Sequence, residues 1–169
     1  MQPSVQQVKE WRLKLDSFAN SAKSLTPSRE VSLVITNLQR SKMWLGQALK
    51  QMDSPNPYPE SKDPKSTVIE KQAEHTEDII FGADLTDQTA RVKFLRAETD
   101  KLIEEIIQFE FSEATEMPID EDMSKAAEWA KKYLLIDFAL SKTYESTVDA
   151  QMWLGMELNG IREKQNKVA

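Results

Sequence analysis

A chain of 169 residues has room for one domain or two small helical units, and with no cysteine it can build neither a disulfide framework nor a thiolate metal site. An apolar share of 40%, a charged share of 30% and only four glycines fit elongated helices with wide wetted faces better than one thick core, so an all-α fold is expected. The net charge of −6 is uneven: residues 1–65 hold 10 Lys/Arg against 6 Asp/Glu, and residues 66–169 hold 12 against 22. A mildly basic N-terminal part can receive a small anion but is too weakly charged for duplex nucleic acid, where several phosphate contacts are usual.

In chain order, Ser4 to about Lys23 reads as an amphipathic helix, with Val5, Val8, Trp11, Leu15 and Phe18 at three- and four-residue spacing. Ser24 to Ser28 is a break, after which Thr26 is placed to cap a second helix with Pro27 at its first position. That helix is expected to run to about Met52 on the stripe Val31, Val34, Ile35, Leu38, Leu45, Ala48, Leu49 and Met52, making an αα-hairpin with the first. Ser54 to Pro64 holds four of the seven prolines. Each fixes its own φ and pushes the residue before it toward extended backbone, so the segment is expected to be a stiff strap.

Ser66 to Phe81 is open to two readings, a short strand at Val68 and Ile69 or more strap. A third helix is expected from Thr86 or Asp87 to about Phe111, with Val92, Leu95, Leu102, Ile106 and Phe109 on one side. A long fourth helix is expected from about Asp120 to Glu163, with a core stripe of Ala127, Ala130, Leu134, Phe138 and Leu154. The chain thus divides into a hairpin with strap (1–80) and an additional helical hairpin (81–169). No apolar run approaches the roughly 20 residues a membrane span needs. Met1 to Glu10 lacks a basic start followed by an apolar run, so no signal peptide is expected.

One tetrapeptide occurs twice. At an offset of 109 residues Met43/Met152, Trp44/Trp153, Leu45/Leu154 and Gly46/Gly155 coincide, as do Leu49/Leu158 and Ser32/Ser141. Either the second hairpin is a diverged repeat, or two helices met the same packing problem: a bulky Trp beside a Gly where another backbone comes close. Only the first copy is followed by a proline strap.

Catalytic chemistry is thinly represented. The one histidine, His75, excludes a two-histidine metal site within the chain, and no serine sits in a nucleophile-elbow context. Glu104, Glu105, Glu110 and Glu113 form an acidic helical set, but the position that would complete the Mg²⁺ motif of an all-α nucleotide pyrophosphohydrolase is Gln108, and the later Glu145 to Asp149 has one spacer too many. The strap is richer in recognition chemistry. Tyr58 offers a flat face and a hydroxyl; Lys62 and Lys65 offer point charges for phosphate; Asn56 and Ser61 offer donors. Arg29, in the first turn of the second helix, adds a guanidinium beside helix N–H groups. The plain alternative is a strap that only packs against the hairpin.

The order Arg29-Glu30-x-Ser32 helix, Met43-Trp44-Leu45-Gly46 helix, then Asn56-Pro57-Tyr58-Pro59-Glu60-Ser61 and Asp63-Pro64 resembles the hairpin domain of phage immune-evasion sponges, the anti-CBASS and Thoeris anti-defence proteins. The resemblance covers roughly residues 4–80. It implies a non-enzymatic binder without catalytic residues, metal or cofactor. Such a protein assembles into symmetric homo-oligomers, hexamers among them, and captures cyclic di- or trinucleotides or cyclic ADP-ribose isomers in pockets between protomers. It further implies action in the host bacterial cytoplasm, with no membrane and no duplex nucleic acid as partner. The ligand-binding candidates within the matched stretch are Arg29, Asn56, Tyr58, Ser61, Lys62 and Lys65, and Trp44 is expected to pack at a helix interface. Residues 81–169 lie beyond the resemblance; if they are a degenerate second hairpin, one chain mimics a dimer. The alternatives are a helical interaction or assembly protein with a structural strap, and an all-α nucleotide pyrophosphohydrolase.

Overall fold

The computed structural model describes residues 3–52, 79–82, 84–110 and 123–168. These contain four helices: α1 (Val5–Lys23), α2 (Arg29–Gln51), α3 (Gln88–Glu110) and α4 (Met123–Val168). No strand occurs among the described residues. The protein is therefore all-α, an N-terminal hairpin followed by two further long helices, as the composition and periodicity predict. The proline strap and the Val68–Ile69 segment lie outside the described residues.

The N-terminal hairpin follows from its apolar spacing. Val8, Trp11, Leu15 and Phe18 of α1 meet Val31, Val34, Leu38, Leu45, Ala48 and Leu49 of α2 in one core. Ser4 opens α1 with a reciprocal cap: its Oγ accepts from Gln7 N–H at 3.2 Å, and its own N–H donates to Gln7 Oε1 at 2.9 Å. The start of α2 differs from expectation. The cap is Ser28, not Thr26, in extended backbone (φ −148°, ψ 170°) with Oγ accepting from Val31 N–H at 3.0 Å. A tertiary contact sets this register. The Ser28 hydroxyl donates to Glu157 Oε2 on α4 at 2.7 Å, while the Thr26 N–H goes to Gln88 Oε1 at 3.1 Å.

The central contact of the fold is α2 against α4; α1 lies on α2, α3 lies on α4, and α1 touches α3 lightly. The central pair is antiparallel, because Ser28 meets Glu157 at one end and Trp44 meets Phe138 at the other. Between them runs a seam of small polar residues. Ser41, Thr143 and Thr147 are fully buried. The Ser41 hydroxyl donates to the Asn37 carbonyl at 3.0 Å and lies 3.0 Å from the Thr147 hydroxyl, whose one hydrogen is shared between Ser41 Oγ and the Thr143 carbonyl at 2.7 Å. Thr143 and Ser146 return their hydroxyls to the carbonyls of Ala139 and Lys142, each at 2.8 Å, so burial leaves these groups satisfied.

The core stripe of α4 is not the expected one. Leu154 is buried, but Leu134 is 65% exposed, Phe138 51% exposed, and Ala127 is exposed. The buried face instead holds Ile136, Ala139, Leu140, Thr143, Ser146, Thr147 and Ala150. Five of these seven are small or hydroxylated, so a count of bulky apolar residues selects the wrong side of the helix.

Replacing Ser28 by Ala removes the α2 cap and the hydroxyl partner of a carboxylate that is only 9% exposed. Urea unfolding is expected to show a loss of about 2 kcal/mol, largely recovered in Ser28→Thr. A loss below about 0.5 kcal/mol would show that the contact does not fix the start of α2.

Candidate functional site

Of the six predicted ligand residues, Arg29 alone is among the described residues; Asn56, Tyr58, Ser61, Lys62 and Lys65 lie outside them, as does His75. Arg29 is the first residue of α2 and is exposed, with its guanidinium carbon 6.0 Å from the centroid of the half-buried Trp153 ring. Beneath this cation–π contact sits the Ser28–Glu157 hydrogen bond. The corner that the sequence marks as suited to an anion thus holds a buried carboxylate, bound by the capping Ser28, as well as a guanidinium and a helix N-terminus. A flat ring needs roughly 3.5 Å on each face, so a base could stack on Trp153 only after Arg29 swings outward.

Arg29 is also far from where the strap begins. The 23 residues of α2 place Arg29 and Met52 at opposite ends, roughly 34 Å apart at 1.5 Å per residue.

The two Met-Trp-Leu-Gly copies have a common structural reason. Successive helical residues point about 100° apart, so four in a row sample four directions. Met43 and Met152 face outward, each 51% exposed. Trp44 packs edge-on to Phe138 across the central pair, 5.6 Å between centroids and 88° between planes, a helix-interface position as expected. Trp153 takes the matching place beneath Arg29. Leu45 and Leu154 are fully buried. Gly46 and Gly155 face the outer helix of their own hairpin, where a Cβ would lie 3.5 Å from the guanidinium carbon of Arg12 and Arg96 respectively. The close neighbour is an arginine side chain, not the backbone that the sequence reading anticipated.

This plan repeats beyond the tetrapeptide. Val8-Lys9-x-x-Arg12-x-x-x-Asp16 on α1 recurs as Val92-Lys93-x-x-Arg96-x-x-x-Asp100 on α3, at an offset of 84 residues. Asp16 pairs with Lys42 on α2, and Asp100 accepts from Gln151 Nε2 on α4 at 2.6 Å, Gln151 being the residue 109 positions after Lys42. An approximate two-fold relates the hairpins: it exchanges Trp44–Phe138 with Trp153–Arg29. The sequence reading missed the second motif because a single offset was sought, and the α3–α4 connection with the longer start of α4 changes it from 84 to 109.

A groove of about 600 Å³ lies between α1 and α3, floored by Phe18 and Leu102. Its rim carries Glu10, Glu98 and Glu105 against Lys14 and Lys101, an excess of carboxylate unsuited to a phosphorylated ligand. Glu105 accepts from Trp11 Nε1 at 3.0 Å and pairs with Lys14 at 2.6 Å, so this member of the acidic set is held in a structural role. Among the described residues no group of three or more His, Asp or Glu could hold a metal ion, and no helix is long and apolar enough to cross a membrane. Comparison with known protein families, with characterised proteins and with solved structures finds no match to this chain.

At 3.5 Å an added methyl makes ordinary contact with Arg12. Gly46→Ala is therefore expected to stabilise the fold by roughly 0.5–1 kcal/mol, by removing a helix glycine, whereas Gly46→Leu displaces the guanidinium and destabilises. Thermal unfolding of both variants decides it. A destabilised alanine variant would mean that Arg12 requires bare backbone.

Proposed function

We propose that this protein is a phage immune-evasion sponge that binds a cyclic nucleotide-type signal, a cyclic di- or trinucleotide or a cyclic ADP-ribose isomer, and sequesters it without breaking a bond. The observation that carries this reading is the order of motifs on one helical hairpin. An Arg-Glu-x-Ser start and a Met-Trp segment lie on a single helix, α2, followed directly by the proline-spaced, Tyr- and Lys-bearing stretch. This reading includes a homo-oligomer with pockets between protomers, as the resemblance implies. The recurring Arg–Gly and Asp–Lys/Gln contacts support residues 81–169 as a diverged repeat, so that one chain stands where two single-hairpin chains would.

One observation favours a second reading, a helical assembly protein with a structural strap: Arg29 already lies over Trp153, next to a capping serine bound to Glu157. The two readings separate in one experiment. The protein is incubated with a panel of cyclic nucleotides and cyclic ADP-ribose isomers, washed and heat-denatured, and the bound and released species are analysed by mass spectrometry. Capture and intact release of one ligand class is expected. Arg29→Ala and Lys62→Ala should each weaken capture roughly tenfold at unchanged helix content. Recovery of cleaved ligand would overturn sequestration, and an empty released fraction with every probe would favour the assembly reading.

A further inference from the structure

Past Glu157, which meets the start of α2, α4 runs on to Val168, and the line it presents beside Arg29 is bare. Successive helical residues turn by about 100°, so Gly160 and Lys164 each fall within about 20° of Trp153 round the helix, roughly 10 Å and 16 Å further along it. A Cβ placed on Gly160 would meet nothing within 4 Å, whereas Gly46 and Gly155 each lie against an arginine. Glycine is unfavourable inside a helix, and no packing contact requires it at 160. Residues 66–169 are acidic overall, yet residues 159–168 hold Arg162, Lys164 and Lys167 against Glu163 alone. Lys164 and Lys167 are exposed and make no ion pair among the described residues. The carboxylates nearby leave the line open. Glu157 is 9% exposed and bound by Ser28, Glu30 is half-buried, and Glu163 stands about 80° round the helix from Trp153.

We infer that this strip of α4 binds one nucleotide unit of the sequestered signal, its base on Trp153 and its phosphate over Gly160, flanked by Arg29 and Lys164. Among the described residues the Arg29 guanidinium makes no ion pair, and its contact with the Trp153 ring, at 6.0 Å, is at the outer limit for a cation over an aromatic face. A phosphate offers that guanidinium a stronger, charge-assisted partner. Drawing Arg29 toward it uncovers the indole for stacking, so one side-chain movement prepares both halves of the site. Helical side chains lean toward the N-terminus of their helix, which carries Lys164 back toward Gly160. The other end of the central pair shows that a ring fits beside the matching indole: Phe138 packs on Trp44 at 5.6 Å.

The inference rests on the sequestration reading and adds to it a wall built from the half of the chain beyond the resemblance. Its test is equilibrium dialysis of the full chain with cyclic di-AMP, cyclic di-GMP, cyclic tri-AMP and cyclic ADP-ribose, together with tryptophan fluorescence. Wild type is expected to bind one of these probes with quenching. Trp153→Phe should keep most of the affinity and lose the quenching, and Trp153→Leu should weaken binding tenfold or more. Gly160→Leu should weaken binding at least tenfold at an unchanged or higher thermal midpoint, because the new side chain meets only the ligand. Lys164→Glu should cost about tenfold and reduce the salt dependence. Wild-type affinity in either Gly160→Leu or Lys164→Glu overturns the strip and leaves sequestration standing. A wild type that takes up none of the four probes overturns both.

Discussion

The fold depends on how closely α2 and α4 approach. Interaxial distance is set by the side chains at the contact, and here Ser41, Thr143, Thr147 and Ala150 occupy the crossing. Hydroxyls at such a seam would be costly if left unpaired, but helical backbone supplies acceptors one turn away, and all three hydroxyl residues use them. The indole rings lie to either side of this seam, Trp44 against Phe138 and Trp153 beneath Arg29. The outer helices then close on the remaining side, where glycine lets an arginine lie along the helix.

The two ends share a plan and differ in chemistry. At one, Trp153 lies beneath Arg29, with Ser28 bound to the buried Glu157. At the other, Trp44 meets Phe138, and the positions matching Ser28 and Glu157 are Asp137 and Ala48. Lys142 over the Phe138 ring at 5.7 Å, with Glu145 at 2.6 Å, places the nearest cation of that end on its flank. One end is thus polar; the other is apolar, with Phe138 51% exposed.

Much of the hairpin was legible because its physics is carried by bulky residues at regular spacing. The stripes of α1 and α2 match the expected ones, with Val5, Ile35 and Met52 only half-buried. What resisted reading was carried by small or distant groups. The start of α2 hinges on a carboxylate 129 residues away, which local cap preference cannot see. The buried face of α4 is made largely of Ala, Ser and Thr, which a hydrophobic count passes over, while its Leu134 and Phe138 point outward. Of the candidate site, the chemistry of Arg29 was legible but its setting was not: Trp153 and Glu157 reach it from the other end of the chain.

The internal two-fold also separates fold from function. Residues that obey it are accounted for by packing alone. Each side chain of Met-Trp-Leu-Gly has one direction to fill, and both copies fill it alike. Arg12 with Arg96 and Asp16 with Asp100 serve the same contacts in their own hairpins. Positions that break the relation follow in part from where the helices begin: Ser28 caps α2 and bonds Glu157, whereas the matching Asp137 lies inside α4, which starts at Met123, and needs no such partner. The rare tetrapeptide that first draws the eye is therefore scaffold, and what distinguishes the two ends is the set of residues around each tryptophan, Arg29 at one and Phe138 at the other.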